Sequence, residues 1–290
     1  MKYYSYFPGC SSSEGGAKAY DKSAQAVSKV LDMELIELDD WNCCGTTPYS
    51  SIDELSSFCL SARNLSLAEK RGFDLVTPCS ACYIMLNRTN SHLKEYPKAK
   101  AKVDEALAAG GLEYHETIKA RHLLDIFVND VGYDVIRAKV KRNLQGLKVA
   151  CYYGCQIVRP KLGFDDPELP QSLDKLVANL GADPVPFPLK SRCCGASMII
   201  SDEAAALDLI RMLLNSATSN GAECMVTPCP LCQLNLDAYQ IQVNRKFKTH
   251  FNLPVLFFTQ LMGVAFGLSD KDLGLKKSIV PVKKVLAKYP

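Results

Sequence analysis

The chain has one tryptophan, four histidines and almost no net charge. Its 34 basic residues are nearly matched by 31 acidic ones, so nothing marks a basic face, and no nucleic-acid partner is expected. The longest apolar stretch, residues 253–268, is interrupted by Thr259 and Gln260 and is too short to span a bilayer. The first residues lack the basic, apolar and small-residue succession of a secretory signal, which leads to the expectation of a cytoplasmic chain. Neither a G-x-G-x-x-G fingerprint nor a Walker loop occurs, so no flavin or nucleotide is expected on this chain. His92, His115, His122 and His250 all lie away from any cysteine pair at zinc-knuckle spacing.

Cysteine is what the sequence has in excess, with thirteen in 290 residues. In a reducing compartment structural disulfides are rare, so metal ligation is the first use to consider. The cysteines repeat. Leu75-Val76-Thr77-Pro78-Cys79-Ser80-Ala81-Cys82 returns as Met225-Val226-Thr227-Pro228-Cys229-Pro230-Leu231-Cys232, displaced by 150 positions. Cys43-Cys44-Gly45 returns as Cys193-Cys194-Gly195 at the same displacement, and Gly9-Cys10 answers to Gly154-Cys155 at 145. Each half therefore carries a cysteine, then Cys-Cys-Gly, then CxxC, which indicates a duplication with halves at 1–145 and 146–290.

The flanks predict an α/β fold with a mostly parallel sheet in each half. Residues 2–7, 34–38, 73–76, 147–153, 184–187 and 223–226 read as strands. Residues 17–31, 52–71, 173–180 and 202–220 read as helices, with Asp53 and Glu54 in the first turn of the second. The cysteines then follow strand ends, where open parallel sheets place their ligands. A charged helix over 129–145 would join the halves, and the lysine-rich tail 276–290 reads as a solvated end.

Three chemistries compete for the cysteines. Zinc wants four ligands, whereas each half offers five, two of them adjacent. A thioredoxin-like dithiol would use each CxxC and leave three cysteines per half idle. An iron–sulfur cluster, with several irons ligated by thiolates, uses the whole set. The closely spaced cysteine run of ferredoxins is absent, so the cluster would be an unusual one held by distant loops. Gly9, Gly45, Gly154 and Gly195 would turn the backbone beside it, and Pro78 and Pro228 would fix the approach to each CxxC. Cys59, Cys151 and Cys224 read as buried small hydrophobes, with Cys151 also a competitor of Cys155 for the first ligand position of the second half.

The pattern resembles the CCG domain, and two in tandem resemble the catalytic B subunit of heterodisulfide reductase. Tyr6-Phe7-Pro8-Gly9-Cys10, Asp40-Trp41-Asn42-Cys43-Cys44-Gly45, Ala62-Arg63-Asn64-Leu65, Tyr153-Gly154-Cys155 with Arg159-Pro160, and Gln260-Leu261-Met262-Gly263 carry that resemblance. It implies two noncubane [4Fe–4S] clusters. Cys10, Cys43, Cys44, Cys79 and Cys82 would hold one; Cys155, Cys193, Cys194, Cys229 and Cys232 would hold the other. It further implies reduction of a disulfide, such as that of coenzyme M and coenzyme B in methanogenesis, one electron from each cluster. The expected partners are a ferredoxin-like C subunit, an electron-bifurcating flavin-containing A subunit, and a hydrogenase or formate dehydrogenase module. Because that substrate is anionic, Arg159 and Arg192 are candidate substrate cations, and His122 is a candidate proton donor. Gln156 stands where methanogen versions often carry histidine. Lactate-, glycolate- and succinate-type oxidoreductases share the domain, so an electron-transfer subunit of that kind is the alternative reading, and a non-enzymatic zinc scaffold a further one.

Overall fold

The structure is a computed structural model that describes residues 1–13, 17–46, 48–160 and 163–289. Two four-stranded sheets, both wholly parallel, organise the chain. The first has β1 (Lys2–Tyr6), β2 (Met33–Glu37), β3 (Leu75–Thr77) and β4 (Ala120–His122) in the order β2-β1-β3-β4. The second has β5 (Lys148–Cys151), β6 (Asp183–Pro184), β7 (Cys224–Thr227) and β8 (Val255–Phe257) in the order β6-β5-β7-β8. Thr77 aligns with His122 in one, and Thr227 with Phe257 in the other. Parallel strands covered on both faces become short, continuously buried runs, as β3, β7 and β8 are.

This order has a consequence for function. The chain reverses its direction of winding between β1 and β3, and again between β5 and β7. Ligands of open α/β sheets bind beyond the carboxyl ends of the strands at such a switch point. Cys10 and Cys79 leave β1 and β3 there, and Cys155 and Cys229 leave β5 and β7.

Helix ends follow the sequence. Asp53 accepts a hydrogen bond from the Ser56 amide at 3.1 Å and starts helix Glu54–Arg71, which stops at Gly72 with φ +82°. Asp202 caps helix Glu203–Ser219 through the Ala205 amide at 3.0 Å. Three expectations are corrected. Residues 129–145 do not form one helix: a π-turn over Ile126–Val131 meets Gly132 at φ +88°, and only Tyr133–Ala138 continues helically. The strand expected over 184–187 pairs only at Asp183–Pro184, since Pro184 and Pro186 have no amide to donate. The lysine-rich tail is no solvated end: Val280, Val282 and Leu286 are buried, and Arg142 donates to the carbonyls of Tyr289 and Leu286 at 2.6 and 2.5 Å.

The largest apolar core draws on both halves. Helix Phe258–Ala265 packs against helix Lys18–Val30 of the first half. There Tyr20 stacks on Phe257 with ring centroids 4.2 Å apart, and the hydroxyls of Ser23 and Thr259 bond at 2.6 Å. Among the described residues no helix is long and apolar enough to cross a membrane.

Candidate metal centre

Both Gly-Cys turns need glycine for a specific reason. Gly9 and Gly154 each have φ +74°, and a Cβ on either would lie 3.1 Å from a thiol sulfur, that of Cys82 or Cys232 respectively. The two positions are thus equivalent in backbone and in what they approach. Gly45 and Gly195 repeat this at the Cys-Cys-Gly turns, with φ +76° and +81°, each pressed against the following helix.

The Cys-Cys-Gly loop of the first half is held by one face of helix Glu54–Arg71. Ser57 donates to the Gly45 carbonyl at 2.6 Å and Ser61 to the Cys44 carbonyl at 2.7 Å. Asn64 and Asn42 exchange two bonds, at 3.0 and 2.8 Å. Residues 57, 61 and 64 have helical spacing and are fully buried, a polar stripe where a core-facing stripe is normally apolar. Motif and period alone predict the helix and give this stripe no role; polar residues at core-facing spacing are the signal that could have found it. The second half does the same work differently, with Asn235 donating to the Cys194 carbonyl and Tyr152 to the Arg192 carbonyl, both at 2.7 Å.

The folded chain gathers all ten cysteines of the repeat. In the first set Cys10 and Cys43 sulfurs are 4.0 Å apart, and the Cys44, Cys82 and Cys79 thiols interact in turn. In the second, Cys194 and Cys232 sulfurs are 3.5 Å apart, Cys232 interacts with Cys229, and Cys155 with Cys193. All five cysteines of the second set line one small pocket, with Ser80 of the first half beside them. The two sets also approach each other, with the Cys79 and Cys229 thiols near enough to perturb one another. Cys10 and Cys43 are exposed and Cys155 and Cys193 half-buried, while the other six are buried.

Interactions between neighbouring thiols lower one partner and raise the other here: Cys44 and Cys193 go down while Cys82 and Cys155 go up. A hydrogen bond from Cys155, with the Gly195 amide 3.3 Å from the Cys193 sulfur, draws the Cys193 thiol down to about 6 against the effect of burial. Hydrogen bonds from Cys43 and Cys82 hold Cys44 well below the ordinary thiol range. Thiolate is the form that ligates metal. Cys151 and Cys224 lie in β5 and β7, fully buried, with burial pushing both thiols up, and Cys59 is half-buried on its helix.

Among the described residues no three His, Cys, Asp or Glu side chains surround a single point as ligands of one ion. Five sulfurs gathered at one pocket fit a group of several irons, each taking its own thiolates, better than one tetrahedral zinc.

The other sequence candidates are placed as follows. Arg159 donates through Nε to the Cys155 carbonyl at 3.2 Å and lines a cavity of about 890 Å³ with Tyr83, Arg121 and Phe164. The side chain of Arg192 is exposed beside Cys193. His122 is fully buried, with Nε2 3.1 Å from the Pro228 carbonyl and Nδ1 accepting the Leu124 amide at 3.0 Å. Burial lowers its pKa to about 4, so the ring is neutral and both nitrogens are engaged. That geometry ties the ring to two backbone groups.

The fold and the sulfur sites define a tandem cysteine-rich protein. The CCG family, described as a cysteine-rich domain, matches residues 4–87 and 149–237, and the chain belongs to it. It is 36% identical over 98% of its length to the 8-methylmenaquinol:fumarate reductase membrane anchor subunit of Wolinella succinogenes, covering 99% of that protein. It is 32% identical over 92% of its length to the B subunit of the ferredoxin/F420H2-dependent CoB-CoM heterodisulfide reductase of Methanosarcina acetivorans, covering 91% of that protein. A protein of Archaeoglobus profundus, named as like the B subunit of heterodisulfide reductase, is 30% identical over 94% of this chain and 93% of its own length. A hypothetical protein from Helicobacter pylori has the same fold, with a TM-score of 0.78 over 97% of this chain and 52% of that one, at 18% identity. The chain is an oxidoreductase-subunit relative of the heterodisulfide reductase B type, a kind of protein that works inside multi-subunit complexes.

Proposed function

We propose that this chain is the iron–sulfur subunit of a heterodisulfide-reductase-type complex, cleaving a disulfide to two thiols at the junction of its halves. The observation that carries this is the meeting of the two five-cysteine sets at the junction, where Ser80, next to Cys79, lines the same pocket as Cys155, Cys193, Cys194, Cys229 and Cys232. Cys10, Cys43, Cys44, Cys79 and Cys82, in the half at 1–145, would hold one noncubane [4Fe–4S] cluster. Cys155, Cys193, Cys194, Cys229 and Cys232, in the half at 146–290, would hold the second. Bound there, the clusters would supply one electron each, matching the two that a disulfide requires.

The residues of the chain serve this chemistry in separate ways. Gly9 and Gly154 let the backbone pass against the thiols, and Ser57, Ser61, Asn64 and Asn235 hold the Cys-Cys-Gly loops in place. The buried group Cys44, Cys79, Cys82, Cys194, Cys229 and Cys232 keeps water from the inner edge. Exposed Cys10 and Cys43 open toward the surface, where a ferredoxin-like or flavin-containing partner subunit would deliver electrons. Arg159 and Arg192 flank the second set and suit an anionic substrate. Anaerobic reconstitution tests the reading: about eight irons and equivalent sulfide per chain are expected. Oxidation of reduced viologen on addition of a disulfide is expected with it. About two zincs and no sulfide would overturn it.

A second reading is favoured by the end-to-end similarity to the Wolinella protein. In it the same two clusters pass electrons between a quinol and a fumarate-reducing subunit. Iron uptake with no disulfide-dependent viologen oxidation would select this reading over the first.

A further inference from the structure

The carbonyl of Pro228, one residue before Cys229, accepts hydrogen bonds from the other half of the molecule. The Tyr20 hydroxyl donates to it at 3.1 Å, His122 Nε2 lies 3.1 Å from it, and the Ser80 hydroxyl 3.5 Å. All three side chains are buried, the first two completely. The Leu124 amide donates to His122 Nδ1, which leaves the ring proton on Nε2, aimed at Pro228. Tyr20 is fixed by its stack on Phe257, and His122 by the edge of Tyr83 at 5.7 Å.

This clamp breaks the duplication. His122 faces Thr77 across β3–β4, and its register counterpart facing Thr227 across β7–β8 is Phe257, which has no proton to donate. The first half grips the second CxxC, and the residue at the matching place cannot return that grip.

We propose that Tyr20, His122 and Ser80 are positioning residues that hold Cys229 in its ligating place from across the junction. The second cysteine set is then complete only when the first half is folded against it, and the two sets are inequivalent. The part concerning metal loading rests on the function proposed above; the clamp itself does not.

The test uses the full-length reduced, iron-free chain, labelled with iodoacetamide and read cysteine by cysteine by mass spectrometry. The variants are Y20F, which removes one hydroxyl, H122F, which copies the second half, and H122Q, which keeps an N–H donor. Loss of one buried hydrogen bond is expected to speed labelling of Cys229 about five- to tenfold in Y20F and H122F. Cys10 and Cys43 should label at the wild-type rate, and H122Q should stay near wild type. After reconstitution, the iron content of Y20F and H122F should fall toward half, with one of two cluster EPR signals lost. Unchanged Cys229 labelling in both variants, or equal acceleration at every cysteine, overturns the clamp. Faster Cys229 labelling in a protein whose wild type takes up no iron upholds the clamp and removes the cluster reading.

Discussion

Replacing Gly154 with alanine separates two costs that the structure superimposes. At φ +74° an L-residue sits in the left-handed region, which costs about 1–2 kcal/mol. The new Cβ would also lie 3.1 Å from the Cys232 sulfur, well inside the roughly 3.5–4 Å of an ordinary contact. The thiol must retreat by a few tenths of an ångström, an off-rotamer displacement of about 0.5–1.5 kcal/mol. Gly221 is the control, since it has φ +80° and its nearest neighbour, Lys148 Cδ, is 3.7 Å away. Gly221→Ala should therefore lose about 1–2 kcal/mol and Gly154→Ala about 1 kcal/mol more. At this chain size each kilocalorie is roughly 2–4 °C in Tm, so thermal melts of the iron-free protein resolve the pair. Reconstitution sharpens the comparison: Gly221→Ala should take up iron as wild type does, and Gly154→Ala should be deficient in one set. Equal melting temperatures together with equal iron uptake would refute the claim that this glycine exists to admit the thiol.

Further outcomes follow from residues away from the sulfur sites. Glu69 accepts bonds from the His115 and Thr117 amides and the Thr117 hydroxyl, all at 2.7 Å, which outweigh burial and hold its carboxyl below the usual range. A depressed carboxyl stabilises the fold above its unfolded value of about 4.3, and that contribution is lost as pH falls through the folded value. Glu69→Gln should thus be about 1 kcal/mol less stable at pH 7, with the gap narrowing as pH falls below the unfolded value in urea titrations; a pH-independent gap would exclude this linkage. Leu286→Ala should cost about 2–5 kcal/mol by chemical denaturation, because the tail is part of the core; a change within about 0.5 kcal/mol would return the tail to solvent. With an anionic disulfide, Arg192→Ala should raise KM about three- to tenfold with kcat unchanged, and an unchanged KM removes this arginine from substrate binding.

The α/β class and most of the strands were legible because parallel strands are short apolar runs, and helix ends are marked by caps such as Asp53 and Asp202. β4 and β8 were not: β8 lies inside one long apolar stretch, and β4 is three residues whose role depends on pairing with β3. The lysine-rich tail misled for a related reason. Its charge suggested solvent, while Val280, Val282 and Leu286 are spaced to bury beneath the lysines, as long cationic side chains allow.

The cysteine sets themselves are a property of the sequence. Thiol chemistry requires cysteine, duplication repeats it at matching intervals, and both facts stand in the linear order of residues. Where the halves meet belongs to tertiary structure alone. That Cys79 approaches Cys229, that Tyr20 and His122 grip Pro228, and that a phenylalanine stands where the second half would need a donor all depend on contacts between residues far apart in the chain. Local propensity carries no information about such contacts, because their energy exists only once two separately wound sheets have packed on a common core.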